Sequence, residues 1–128
     1  PALHLSINGG VTALDQAQNF LDSGMDGVMI GRAAYHQPTD FLANADAVIF
    51  GQDRAINPVN IVHQMMPYIH AHIKNGGRLN QITRHMLGLF TGRPGARGWR
   101  RVLSERAHCD GPELVLEALQ RVIEPEAA

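Results

Sequence analysis

Two glycine-containing turns are the first feature of this sequence that could do chemistry. Asn8-Gly9-Gly10 follows one short apolar run, and Gly31-Arg32 follows the next. Glycine lets a backbone approach an anion closely, and amides near the start of a helix supply hydrogen-bond donors and positive potential. The Arg32 guanidinium can add a charge-assisted contact to the same group. The pair predicts a phosphate site, whereas either turn alone is equally typical of an ordinary strand end.

The second feature is a concentration of basic residues between residues 71 and 107. This stretch has eight basic residues against the single acid Glu105, a charge of +7, whereas the rest has three basic and eleven acidic residues, a charge of −8. Guanidinium groups at helical spacing can contact successive phosphates or stack on splayed bases. The residues on this face are Arg93, Arg97, Arg100 and Arg101. The pattern predicts a polyanion-binding surface on a helix anchored by Trp99, and the alternative is a solvated arginine-rich face.

Other sites are disfavoured by residue type and spacing. A single cysteine, Cys109, excludes an intrachain disulfide framework and favours a reducing, cytoplasmic location. His63 and His70 lie two helical turns apart, and no cysteine and histidine cluster has zinc spacing, so no metal site is predicted. No apolar run approaches the roughly 18 residues that a membrane span requires.

The elements that must position these residues fall into two segments. Residues 3–7 and 27–30 are predicted to be short buried strands on either side of a helix over residues 13–23, capped by Thr12. This order is typical of a βαβ unit with parallel strands. A brief helix is predicted over residues 39–45.

Beyond a connection near residues 51–58, the chain reads as all-helical. Asn57 followed by Pro58 is a favourable helix start. Pro67 is expected to kink the first helix or to split it in two. The four helices are predicted over residues 58–75, 79–90, 94–107 and 112–123.

Several strings together resemble the A-type tRNA-dihydrouridine synthases. The resemblance covers nearly all 128 residues, and residues 82–101 are its most specific part. The matching strings are residues 6–10 (SINGG), 26–35 (DGVMIGRAAY), 82–90 (ITRHMLGLF), 94–97 (PGAR) and 99–101 (WRR).

The resemblance implies a fold, an activity and two cofactors. In that family an N-terminal (β/α)₈ barrel binds flavin mononucleotide (FMN), and a C-terminal helical domain helps to hold tRNA. Residues 1–52 would then be the last two strand–helix units of the barrel, an α/β segment, and residues 53–128 an all-α tRNA-binding domain. The family reduces uridine to 5,6-dihydrouridine in the tRNA D-loop, here at position 20/20a. NADPH reduces the flavin, and a barrel cysteine protonates the uracil ring.

Site residues follow from the same resemblance. Positions that match the family's flavin-phosphate site are Asn8, Gly9, Gly10, Gly31 and Arg32. Arg97 and Arg100 look like its tRNA-contacting arginines, and Arg93, Arg101 and Arg84 are further expected contacts. The family's catalytic cysteine lies in a part of the barrel that these residues do not include, and Cys109 occurs in a different context. No catalytic residue is therefore assigned, and the chain alone is expected to be inactive.

Two other interpretations remain open. The chain could be a non-catalytic RNA-binding helical module, or a fragment of another FMN-dependent barrel oxidoreductase, which would leave the arginine-rich helix unexplained. A full barrel takes about 250 residues, so the two predicted strands would have unpaired edges. Because such edges pair readily with other chains, dimerisation through residues 1–50 is also expected.

Overall fold

A computed structural model describes residues 3–54 and 56–125. The chain divides into two units, Pro1–Ala55 and Ile56–Ala128. In its described part, the first unit contains a small sheet and three helices, whereas the second is all-α. Within the described ranges, no helix is long and apolar enough to cross a membrane.

The first unit is built around two parallel strands, β1 (Ser6–Asn8) and β2 (Gly27–Met29). Helix α1 (Leu14–Asp22) joins them, so the predicted βαβ order is confirmed. Gly24 has a φ of 101°, and its amide donates to the Leu21 carbonyl, which ends α1 where the sequence predicted. The register pairs Ser6 with Gly27, Ile7 with Val28 and Asn8 with Met29.

Burial of the strands was predicted wrongly. β1 begins at Ser6 rather than at residue 3, and every residue of both strands is exposed or half-buried. Apolar residues that are buried in this unit include Val11, Ala17 and Phe41. Two strands of three residues cover little area, so an apolar run that is typical of a buried strand stays open to solvent here.

The helices of the first unit also differ from expectation. Thr12 does not cap α1 through its side chain. Its amide and its hydroxyl instead donate hydrogen bonds to the Gln16 Oε1 atom, at 2.8 and 3.3 Å. A short helix, α2 (Arg32–His36), follows β2 directly. The helix predicted over residues 39–45 is longer, α3 (Pro38–Phe50), because no breaker intervenes between Pro38 at its start and Gly51, whose φ is 63°.

The second unit packs its helices around a continuous apolar core. Helix α4 (Pro58–Lys74) begins where predicted, and the Asn57 side chain accepts a hydrogen bond from the Val59 amide at 2.9 Å. Fully buried core side chains include Val62, Ile69, Phe90, Trp99, Val115 and Leu119. The remaining helices are α5 (Asn80–Thr83), α6 (Ala96–Arg106) and α7 (Leu114–Ile123).

Two expectations for the second unit need correction. Pro67 does not split α4, which is continuous through it; Pro67 is exposed, so water can satisfy the carbonyl that the proline leaves unpaired. The helix predicted over residues 79–90 is wrong beyond Thr83, and residues 84–90 form turns. In these turns the Met86 carbonyl accepts from the Leu89 amide and from the Trp99 indole, both at 3.1 Å, so the α-helical bond to residue 90 is replaced.

Helix starts elsewhere in this unit shift slightly. α6 and α7 each begin two residues later than predicted, after turns at residues 94–95 and 112–113. The apolar faces are nonetheless the expected ones, because Ala96, Trp99 and Leu103 are all buried.

Candidate phosphate and nucleic-acid binding surfaces

The turn after β1 presents open backbone at the carboxyl end of the sheet. Gly9 and Gly10 have φ angles of 118° and 70°, a region that side-chain-bearing residues rarely adopt. A Cβ atom built on either glycine would meet no other atom within 4 Å. The backbone conformation therefore demands glycine here, and the space beside the turn is free for a group that approaches closely.

The turn after β2 lies at the same edge, since the strands are parallel and Asn8 pairs with Met29. Gly31 has a φ of −98°, outside the left-handed region, and a Cβ atom there would be 3.4 Å from the Met29 methyl carbon. Packing within the described chain therefore does not require glycine at this position. The Arg32 side chain is exposed and makes no hydrogen bond or ion pair with any described residue.

A cleft of about 480 Å³ opens beside the first turn. Gly31 and Arg32 do not line it, so it joins only part of the predicted phosphate site. Its other wall belongs to α1, a helix that was not predicted to contribute to the site. Gln16, Asn19 and Phe20 lie at helical spacing soon after the Gly9-Gly10 turn, and this spacing was the sequence signal that could have predicted their place beside the turn. The lining residues are Gly9, Gly10, Gln16, Asn19, Phe20 and Ser23.

Helix α6 is held in place by its tryptophan. Trp99 has no exposed surface, and its indole nitrogen donates to the Met86 carbonyl at 3.1 Å. The Phe90 ring meets it edge to face, with 4.9 Å between ring centroids and an interplanar angle of 80°. A helix fixed through one face presents its other side chains from a defined backbone.

We call Arg93, Arg97, Arg100 and Arg101 the arginine surface. All four side chains are exposed. Arg101 lies 3.6 Å from Glu105, a solvated pair of the kind worth about 0–1 kcal/mol. The other three have no hydrogen bond or ion pair from their side chains to any residue in the described ranges. The surface therefore carries charge that the protein itself leaves largely uncompensated.

Two other basic side chains of this stretch are engaged. Arg84 donates from Nε to the His85 Nε2 atom at 3.0 Å, which keeps its charge at the surface. Arg106 contacts Asp110 at 2.7 Å and Glu117 at 2.5 Å. Hydrogen bonds to Glu117, and to a lesser extent to Asp110, raise the pKa of Arg106 above its ordinary value. The guanidinium is therefore charged, and the two carboxylates compensate its charge. Arg106 belongs to the packing of α6 against α7 and not to the free basic surface.

Potential metal ligands are dispersed in the part of the chain that the structure describes. No group of three or more histidine, cysteine, aspartate or glutamate side chains there could hold an ion. Cys109 is exposed, and its sulfur lies 3.4 Å from the Arg106 carbonyl oxygen.

Comparison with known proteins gives the family. The dihydrouridine synthase (Dus) family matches residues 1–124, so the chain belongs to this family. A tRNA-dihydrouridine(20/20a) synthase of Shewanella oneidensis is 54% identical over 125 residues, which are 95% of this chain and 37% of that protein. Proteins of the same name from Salmonella typhimurium and Vibrio cholerae are 50% and 46% identical, over 96% and 95% of this chain. The chain spans 37% and 38% of their lengths.

Proposed function

We propose that the chain is the C-terminal part of an FMN-dependent tRNA-dihydrouridine synthase, which uses NADPH to reduce uridine to 5,6-dihydrouridine at position 20/20a of the tRNA D-loop. The observation that carries this proposal is the 54% identity to a tRNA-dihydrouridine(20/20a) synthase over 95% of the chain. Because the chain spans 37% of that relative, the activity belongs to the longer protein. A cytoplasmic location follows from the substrate.

In this proposal, residues 1–52 belong to a (β/α)₈ barrel. The parallel βαβ unit is the repeating element of such a barrel. The solvent-exposed strands also support it, because in a closed barrel neighbouring strands would pair with the edges of β1 and β2, and interior side chains and outer helices would cover their faces. In the isolated chain the same edges favour a dimer.

The turns after the two strands fit the phosphate end of FMN. Amides of Gly9 and Gly10 would donate to phosphate oxygens, with the Asn8 side chain beside them. Arg32 would supply a charged contact, and Gly31 would let the backbone come close. When bound and reduced, the flavin supplies the hydride for the uracil ring. The residues present here bind and orient; the family's catalytic cysteine is not among them, so the 128-residue chain is inactive alone.

Residues 53–128 hold tRNA through the arginine surface, with Arg84 as a further contact. Arg97 and Arg100 are the central pair, because both are exposed and neither has a partner among the described side chains. No aspartate or glutamate occurs between residues 54 and 104, so no nearby acid in the sequence offsets their charge. Guanidinium groups in such a setting suit phosphate recognition.

The test is a salt titration of tRNA binding to the full chain, followed by fluorescence anisotropy. Removal of one phosphate-binding side chain should flatten the logarithmic salt dependence by roughly 0.7–0.9 units, so Arg97→Ala with Arg100→Ala should flatten it by up to about two. Arg54→Ala is the matched control, since it removes an exposed arginine that lies outside the arginine surface and is assigned no RNA contact. A folded double variant with the wild-type affinity and slope would show that the arginine surface is merely solvated.

A further inference from the structure

An aromatic pair on α4, Tyr68 and the half-buried His72, lies at the surface of the second unit. Tyr68 is 58% exposed, and its ring stacks on His72 one turn later. The ring centroids are 6.4 Å apart, with 21° between the ring planes. One face of the His72 ring is thereby covered, while Tyr68 keeps a large apolar surface open to solvent.

The histidine of this pair is held by three separate contacts. Its Nε2 atom donates to the Gln81 Oε1 atom at 2.8 Å, and the same oxygen accepts the Arg78 amide at 2.9 Å. Gly77 packs directly on the ring, because a Cβ atom there would overlap the ring atoms of His72. Tyr68 supplies the third contact. The His72 ring is therefore pre-organised, and Tyr68 stacks on a fixed ring, which lowers the side-chain entropy that binding costs.

The charge around the pair selects the class of partner. Arg78, whose amide shares the Gln81 oxygen with His72, has an exposed side chain without a partner in the described ranges. The acid-free stretch of residues 54–104 includes the whole of α4 and the turn after it. An exposed aromatic face, with a basic residue whose backbone is joined to it through Gln81, is suited to an unpaired base and its adjoining phosphate.

We propose that Tyr68 and His72 form a stacking platform for an unpaired base of the bound tRNA, with Arg78 contacting the adjoining phosphate. This inference rests on the proposed tRNA-binding function but uses residues outside the arginine surface. Stacking is tolerant of base identity, since every base has a π-face. The platform would add affinity and orientation without reading sequence.

The experiment measures tRNA affinity and its salt dependence for the full chain and three variants. Tyr68→Ala should weaken binding about tenfold, within the roughly 5- to 150-fold range expected when one base–aromatic stack is removed. The salt slope should stay at the wild-type value, because every phosphate-binding side chain is kept. Tyr68→Phe keeps the ring and should bind like wild type. His63→Ala removes another exposed ring of α4, outside the platform, and is the matched control with no expected effect.

The outcomes separate this inference from the proposed function. If wild type binds tRNA, and Arg97→Ala with Arg100→Ala flattens the slope while Tyr68→Ala changes nothing, only the platform is wrong. If Tyr68→Ala and His63→Ala weaken binding equally, the effect is not stacking, and the platform is again wrong. A wild-type chain that does not bind tRNA overturns both proposals. Circular dichroism of each variant confirms folding, which Tyr68→Ala should preserve because the side chain is exposed.

Discussion

At the scale of single residues, neighbouring side chains of the second unit have different roles: some anchor a helix in the core, and others are exposed to solvent. Trp99 is fully buried and satisfies its one polar atom, whereas Arg97 and Arg100, within two positions of it, are exposed. One helix therefore combines a core contact with a free basic surface. Substitutions at these neighbouring positions should affect different properties.

Replacing the tryptophan tests its anchoring role. Trp99→Ala should destabilise the second unit by about 3–5 kcal/mol, because it leaves a large cavity and removes the edge-to-face contact with Phe90. Trp99→Phe should cost about 1–3 kcal/mol, since it removes the indole hydrogen bond but fills most of the space. Urea unfolding followed by circular dichroism measures both. An unchanged urea midpoint for Trp99→Ala would mean that the indole is not the anchor of α6.

At the scale of elements, the close approach of α6 to α7 depends on glycine and on one ion-pair cluster. Gly95 has a φ of 81°, and a Cβ atom there would overlap the Arg121 carbonyl. A Cβ atom on Gly98 would lie 2.9 Å from the Arg121 Cβ. Arg106 then joins α6 to Glu117 on α7 at 2.5 Å. The helices can come this close because α6 and its N-cap have no side chain at Gly98 and Gly95, where they meet Arg121 of α7.

A pair of glycine variants separates backbone strain from helix crowding. Gly92 has a φ of 80°, nearly that of Gly95, but a Cβ atom there would meet nothing within 4 Å. Gly92→Ala should therefore cost only the left-handed strain, about 1–2 kcal/mol. Gly95→Ala should cost about 1–3 kcal/mol more, because a backbone oxygen cannot rotate away. Equal urea midpoints for the two variants would show that the α6–α7 contact adapts without cost.

At the scale of the whole molecule, the two units differ in how much apolar surface they bury. The second has a continuous core drawn from all four of its described helices and the turns between α5 and α6. Of the described residues in the first unit, only Val11, Ala17 and Phe41 are buried apolar side chains. Leu3, Leu42 and Phe50 of that unit are 81%, 60% and 70% exposed. Stability should follow this difference.

Separate production of the two units tests this expectation. Residues 56–128 should unfold cooperatively, with a free energy of unfolding of no more than about 3–5 kcal/mol for a core of this size. Residues 1–55 should show no cooperative thermal transition, since so small a core cannot offset the entropy of ordering the chain. Circular dichroism melts measure both. A sharp transition for residues 1–55 at low concentration would contradict the assignment of most stability to the second unit.

Local pattern was enough for the features that depend on near neighbours in the chain. The spacing of Ala96, Trp99 and Leu103 predicted the buried face of α6, because side chains three and four positions apart share one side of a helix. The Asn57 cap and the stop at Gly24 are equally local. The order of strands and helix likewise predicted parallel strands, and parallel strands have their carboxyl ends at one edge of the sheet.

Tertiary contacts decided the rest. The helix predicted through residue 90 ends at Thr83, and the chain continues in tighter turns. In these turns the Met86 carbonyl bonds to an indole thirteen residues away, a partner that no local pattern contains. Eight basic residues looked alike in sequence, yet Arg106 is neutralised by Glu117, eleven residues on. The pairing of His72 with Gln81 was missed for the same reason. Sequence spacing determines which side chains share a face, whereas long-range hydrogen bonds and ion pairs determine which of them remain free to bind.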